Sequence, residues 1–341
     1  MWFALAVLAG LCVLVAGIGL WQLDRFLNTA VSVPAEGASF EITPGTSFHE
    51  VSRQLEDAGI VSNGTMLRGY ARWTRQANAV HAGEYRILSG TTPADLLDQF
   101  TSGDVQLYSF TIVEGWNQWD LLRAMRAHPQ IDIRVTDEDW ANLLADLGAE
   151  IAHPEGLFLP ETYRFPRNTT DRTILKQAYG LMQAALAEEW AQRDTTSPVA
   201  TPYEALVLAS IVEKETARAD ERPRIAGVFA RRLEKGMRLQ TDPTVIYGIG
   251  PDFNGNLTRR DLQTDTPYNT YTRGGLPPTP IAMPGRAAIH AALHPAPGSE
   301  LYFVATGLDD GSHKFSVTKS EHDAAVAEYL RQLRKRRNKG M

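Results

Sequence analysis

From Trp2 to Leu23 the chain carries no charged side chain. A helix of that length rises about 33 Å at 1.5 Å per residue, which is enough to cross the hydrocarbon core of a bilayer. Trp2 and Trp21 stand near its two ends, where interfacial aromatics are favoured, and Asp24 and Arg25 stop the run. A cleaved signal peptide would begin with basic residues, have a shorter apolar core and end in a small-x-small site. Here the first basic residue is Arg25, and Leu11 is too large to precede Cys12 in a lipoprotein box. The expectation is a retained single-pass anchor over 1–23, followed by a linker over 24–38. With no Lys or Arg ahead of the run, charge asymmetry does not fix its orientation.

The remainder is long enough for two domains: the chain has 341 residues in all, 43% hydrophobic and 22% charged. Net charge is −6, and only the extreme C-terminus, Arg331 to Lys339, is strongly basic. A nucleic-acid partner is therefore not expected. That basic tail is expected to be a solvated helix end, with contact to anionic lipid headgroups as the lesser alternative. Cys12 is the single cysteine, so neither an intrachain disulfide nor a four-cysteine zinc site can form. His290 and His294 have the i, i+4 spacing of a metal pair, but no HExxH context surrounds them and Pro295 follows. No metal and no other cofactor is expected. A Gly-x-Ser-x-Gly elbow is also missing, which argues against a serine peptidase.

A pattern recurs three times beyond the apolar run. FEITPGTSFHEVSRQL begins at Phe40, YRILSGTTPADLLDQF at Tyr85 and FTIVEGWNQWDLLRAM at Phe110. Each passes from alternating β-type residues through a glycine (Gly45, Gly90, Gly115) into an amphipathic stretch, with Val51, Leu96 and Leu121 six residues after the glycine. That order predicts strand, turn and helix, with Thr46 and Thr91 as helix caps. The pattern resembles the LysM carbohydrate-binding module, without the Asp of its turn. It predicts a small LysM-like α/β module over 39–108.

Chemistry concentrates further on. TPYEALVLASIVEKETA (201–217) predicts a helix with Thr201 as N-cap, Pro202 at N1 and Glu204 completing a capping box. On its wheel Glu213 sits with Ala209, Ser210, Thr216 and Ala217, beside a stripe of Leu208, Ile211 and Val212. Small neighbours leave room for a bulky substrate, and the apolar stripe would raise the carboxyl's pKa as a general acid requires. The same residues are equally compatible with a solvated helix carrying Glu213, Lys214 and Glu215. Three rigid loops follow the pattern of sugar sites, polar groups among aromatics and prolines: PEGLFLPETYRFP (154–166), RLQTDPTVIY (238–247) and PYNTYTRGGLPPTPI (267–281).

EGLFLPETY, ASIVEKET, RLQTDPTVIYG, TPYNTY and GLPPTPI, in this order after an N-terminal apolar helix, resemble the endolytic murein transglycosylase (YceG-like) family. The resemblance covers nearly the whole chain and is strongest from Phe110 to Tyr329. It implies α+β architecture, with a catalytic domain over 109–341 outside the plasma membrane. It implies a lyase that cuts the MurNAc–GlcNAc bond of nascent peptidoglycan without a cofactor, leaving 1,6-anhydro ends and cooperating with peptidoglycan synthases. The catalytic carboxyl would be the first Glu of IVEKE, Glu213. Expected substrate contacts are Glu155, Glu161, Thr241, Asp242, Tyr268, Asn269 and Tyr271. Two alternatives stay open: a non-catalytic wall-binding scaffold, and a hydrolytic muramidase with Glu161 or Asp242 as its second carboxylate. Leu301–Ala305 and Phe315–Val317 are expected to pair as antiparallel strands.

Overall fold

Helix α1 (Trp2–Asn28) takes up the whole uncharged run and continues past Leu23. Among the described residues it is the one helix long and apolar enough to cross a membrane. The structure is a computed structural model that describes residues 2–136, 139–195 and 197–339, so the outermost ends of the expected spans, 1 and 340–341, lie outside it. It divides into two units: Met1–Tyr108 with Arg164–Asn168, and Ser109–Tyr163 with Thr169–Met341.

The first unit contains the first two repeats. Strand β1 (Ala38–Ile42) leads to α2 (Phe48–Asp57); after α3 (Gly64–Trp73), β2 (Gly83–Ile87) leads to α4 (Pro93–Ser102). The strands pair antiparallel with Phe40 opposite Tyr85. Gly45 and Gly90 turn the chain at φ +84° and +93°, the left-handed region that favours glycine. The caps fall one residue later than expected. Ser47 accepts from the Glu50 amide, and Thr92 forms a reciprocal capping box with Asp95. A cap residue must be extended to offer its hydroxyl to the third helical amide, and the residue directly after a left-handed glycine is still in the turn. Thr46 instead bonds Thr43 within that turn, at 2.7 Å between hydroxyl oxygens.

Val51, Leu55, Leu96, Leu97 and Phe100 are fully buried in this unit, with Tyr85 edge-on to Phe100 at 4.7 Å between ring centroids. Phe26 and Val31 join the same core. The stretch expected as a linker, 24–38, is therefore helical to Asn28 and then fastened. The amide of Val31 donates to Thr91 O (2.8 Å) and that of Ser32 to Ile60 O (3.0 Å). Burying two apolar side chains, at about 1.5–3 kcal/mol each, outweighs the freedom of a loose tether.

The third repeat opens the second unit. Strand β3 (Leu107–Thr111) leads through Gly115 (φ +79°) to α5 (Gln118–Arg126), capped by an Asn117–Asp120 box, and Leu121 is fully buried. The chain continues through β4 (Ile131–Asp132), α6 (Trp140–Asp146), β5 (Thr162–Pro166), β6 (Thr169–Thr170) and α7 (Asp171–Ala191). Strands β3 and β5 form one two-stranded ribbon, β4 and β6 another. Then come α8 (Pro202–Glu215), α9 (Arg222–Glu234), α10 (Asp242–Ile249), the short α11 (Arg259–Gln263) and α12 (Arg286–Leu293). Strands β7 (Tyr302–Ala305) and β8 (His313–Ser316) and helix α13 (Lys319–Lys339) close the chain. The expected antiparallel pair forms, with Phe303 opposite Phe315.

Helix α8 is the axis of this unit. Every residue from Ala205 to Val212 is buried, because α7, α9, α10 and α12 all pack on it. A helix apolar around its circumference becomes a core element, and the expected two-faced wheel is superseded by burial on all sides. Thr201 caps it by accepting from the Glu204 amide (3.1 Å). The Glu204 carboxylate reaches back to the Ala200 amide (2.6 Å), one residue beyond the partner a true capping box would use. The architecture is mixed α+β, with an N-terminal apolar helix.

Candidate active site

Burial ends near the last turn of α8, and there two carboxyls, Glu213 and Glu215, emerge on opposite faces. Two residues along a helix are about 200° apart, so the two enter different surroundings.

Glu213 sits in a nest of polar groups. Its Oε2 accepts from the Gly285 amide at 2.9 Å, at the N-terminal end of α12, where the helix dipole favours a carboxylate. Its Oε1 lies 3.5 Å from the Arg222 guanidinium. Arg222 also faces Glu114 at 3.8 Å. A β-carbon at Gly285 would run into the Glu114 carboxylate, which shows how closely the 113–117 loop lies over this point. That loop is fastened on both sides. Gly115 N donates to Met283 O (2.9 Å), Met283 N donates to Trp116 O (2.6 Å), and Lys214 Nζ donates to Gly115 O (3.1 Å). The 281–285 strap is in turn held to α8 by Ile281 N on Ser210 Oγ (2.9 Å). The expected open space around Glu213 is thus filled, and its side chain is only 6% exposed. Burial raises its pKa, opposed by the Gly285 amide, reinforced by Glu114, and opposed again by Arg222 and Lys214.

Beside this nest a cleft of about 410 Å³ is lined by Asn117, Trp119, Arg123, Lys214, Tyr247 and Phe253, among others. Its floor is aromatic: Trp119 packs on Tyr247 at 5.3 Å, and Tyr247 on Tyr268 at 4.9 Å. Behind Tyr247 lies Glu155, with no exposed surface. Gln118 N donates to its Oε2 at 3.1 Å, and its Oε1 has no hydrogen-bond partner among the described residues. Burial pushes its pKa up to about 8, with the Gln118 amide opposing the rise.

Glu215 faces a second cavity, of about 500 Å³, with Thr241, Asp242, Tyr271, Arg232 and Tyr302 among its lining. The Thr241 hydroxyl donates to its Oε1. Tyr271 OH donates to Asp242 Oδ1 at 2.6 Å. Burial pushes Glu215 up to about 7, with Thr241 opposing and Asp242 adding to the rise.

The residues expected from sequence therefore separate. Thr241, Asp242 and Tyr271 gather around Glu215. Tyr268 backs the aromatic floor, its hydroxyl 2.9 Å from Thr279 Oγ1. Asn269 is fully buried and ties its own loop together, donating to the carbonyls of Asp261, Leu262 and Thr264 and accepting from Tyr271 N. Glu161 is exposed directly before β5, its carboxylate accepting from Thr162 N (3.1 Å), and it lines neither cavity. Glu155 and Asn269 have no exposed surface.

Glu114, Arg222, Gly285 and Trp119 went unnoticed in the sequence. One signal was available for Glu114: where the first two repeats carry Pro44 and Ser89 before the turn glycine, the third carries an acid.

Glu189, His290 and His294 also come together, with one ligand atom of each within 4.8 Å of the others. The two imidazoles stack at 4.2 Å, and both nitrogens of His294 face backbone carbonyls, His290 O at 3.1 Å and Gln192 O at 2.8 Å. Stacked rings direct their in-plane lone pairs side by side, so a shared ion would require both to turn out of these contacts.

A family model described as the YceG-like family matches residues 40–328. A Bacillus subtilis protein named endolytic murein transglycosylase is 29% identical over 86% of this chain and 84% of its own length. A Streptococcus pneumoniae protein of the same name is 27% identical over 96% of this chain and 65% of its own length. The crystal structure of a YceG-like protein from Listeria monocytogenes superposes with a TM-score of 0.53 at 29% identity, covering 85% of this chain and 99% of that one.

Proposed function

The chain belongs to the YceG-like family, and from that premise we propose that it is an endolytic murein transglycosylase whose acid and base is Glu213. The observation that carries this reading is the Glu213 nest: a nearly buried carboxyl with a raised pKa, still touched by groups that stabilise its anion. One carboxyl that must first give and then take a proton needs both conditions. The names of the bacillar and streptococcal relatives support the reaction class.

The bond cut is the β-1,4 link from N-acetylmuramic acid to N-acetylglucosamine. Glu213, protonated, gives its proton to the glycosidic oxygen as the C1–O bond breaks. The C6 hydroxyl of the same muramic sugar then bonds C1, and the Glu213 carboxylate takes the hydroxyl proton. The product is a 1,6-anhydro end, with no water added. An internal nucleophile has a large proximity advantage, so one protein carboxyl suffices. Trp119, Tyr247 and Phe253 offer apolar faces on which sugar rings stack. Asp242, Tyr271 and Thr241 provide polar partners at the second cavity, while Tyr268, Glu155 and Asn269 hold the framework and Glu161 waits at the ribbon. With Glu213 so little exposed, the 113–117 loop must yield for the sugar to enter.

The first unit, with its doubled strand–turn–helix, is LysM-like and holds glycan; α1 anchors the chain in the plasma membrane with the residues beyond it on the outer side, near peptidoglycan synthases. Incubating the detergent-solubilised chain and Glu213→Gln with uncrosslinked glycan strands tests the reading. Cutting by the wild type and a loss of at least about 10²-fold in the variant are expected. Full activity in a folded Glu213→Gln would refute it, and binding without any cutting would favour a scaffold.

A further inference from the structure

We propose that Glu114 and Arg222 are positioning residues that set how readily Glu213 holds its proton, with Arg222 shared between the two carboxylates. The inference rests on the reading of Glu213 as the acid and goes beyond it, since neither residue belongs to the motifs that carry the family resemblance.

The geometry is that of a divided ion pair. A committed arginine–carboxylate contact closes to about 2.7–2.9 Å. Arg222 stands at 3.5 Å from Glu213 and 3.8 Å from Glu114, seated against neither. It is itself only 13% exposed, so water does little to screen it, while Glu114 is about half exposed at 49%. Arg222 leaves from the first turn of α9, Glu114 rides on the loop after β3, and Gly285 opens α12, so three separate elements converge on one carboxyl. The groups facing Glu213 are Glu114 from the loop, Arg222 from α9, Lys214 from its own helix and the amide end of α12.

The two neighbours push in opposite directions. Arg222 favours the anion left after proton donation; Glu114 opposes it and also draws Arg222 away. Removing Glu114 leaves Arg222 and Lys214 unopposed, so Glu213 should give up its proton at lower pH. Removing the Arg222 charge should do the reverse. Opposite charges at such distances move carboxyl titrations by about one pH unit or more.

The test follows the ¹³C carboxyl signals of glutamate in the detergent-solubilised full chain through a pH titration, the Glu213 signal being identified by its loss in Glu213→Gln. In Glu114→Gln the midpoint should fall by about one pH unit, and the basic limb of the cutting profile should move with it. In Arg222→Gln it should rise, and Arg222→Lys, which keeps the charge, should restore most of the wild-type value. Glu114→Asp, which keeps the charge, guards against a folding defect in the glutamine variant and should stay close to wild type. A Glu213 midpoint that stays put in both neutralised variants overturns the proposal, as does one that moves equally in Arg222→Lys and Arg222→Gln. The titration is independent of cutting, so loss of the catalytic reading would show separately, as a Glu213→Gln variant that still cleaves.

Discussion

Glu213 and Glu215 stand two residues apart on α8, and their surroundings differ in kind. Glu213 meets a backbone amide, a guanidinium, an ammonium and a rival carboxylate. Glu215 meets a neutral hydroxyl, Thr241, and the acid Asp242. Both are lifted above the ordinary carboxylate range by burial; at Glu213 the Gly285 amide, Arg222 and Lys214 pull against that rise, and at Glu215 the Thr241 hydroxyl does. Desolvation by itself gives a buried acid that stays protonated; desolvation with balanced countercharge gives one that can cycle. The contrast teaches that a raised pKa alone does not locate the chemistry.

The comparison breaks most directly by exchanging the amides. Glu213→Gln should lower the cutting rate by about 10²–10⁴-fold, whereas Glu215→Gln, replacing a largely neutral acid with an isostere, should stay within a few-fold at pH 6. A larger loss at Glu215 would move the chemistry to the second cavity.

The next effect is on stability. Glu155, at about 8 in the folded chain against 4.5 for the free side chain, is bound to its proton more tightly when folded. The penalty for keeping it un-ionised is therefore absent below about pH 4.5, and stability falls as pH rises towards 8, by a few kcal/mol in order of magnitude. Urea unfolding of Glu155→Gln at pH 5 and pH 9 should show most of that decline removed. An unchanged decline would mean that Glu155 ionises freely where it lies.

Thr241→Val takes the hydroxyl donor from Glu215 and should cost about 1–3 kcal/mol, more at pH 8 than at pH 5, because the donor matters most to the anion. The same measurement reads it. The smallest effect is local to the helix that carries both acids: Thr201→Ala removes its cap and should cost about 1 kcal/mol, with the Glu213 titration unmoved.

Much of the local structure was legible because its causes are local. Gly45, Gly90 and Gly115 mark real left-handed turns, and the helices after them begin within three residues. The caps slipped by one because Thr46 and Ser47, like Thr91 and Thr92, offer two adjacent hydroxyls, and only the backbone angle decides between them. Residues 24–38 looked polar enough for a linker, yet Phe26 and Val31 found a core that a linear reading does not reveal. Glu213 was singled out as the candidate acid by its motif. Its partners were not: Glu114 precedes it by 99 residues and Gly285 follows by 72, if the separations of Lys214–Gly115 and Glu213–Gly285 are taken as the measure. The division of Thr241, Asp242 and Tyr271 from Glu213 was equally hidden, since rotation about a buried helix separates residues that adjoin in sequence.

The central claim is that Glu213 lets the substrate's own hydroxyl close the ring. Uncrosslinked glycan strands should be cut by the wild-type chain in water enriched in ¹⁸O and the products weighed by mass spectrometry. The account predicts anhydro-ended fragments with no ¹⁸O and no added water, formed by wild type and not by Glu213→Gln. Fragments heavier by one labelled water would contradict it, making the chain a hydrolase whose second carboxylate, Glu161 or Asp242, positions the attacking water.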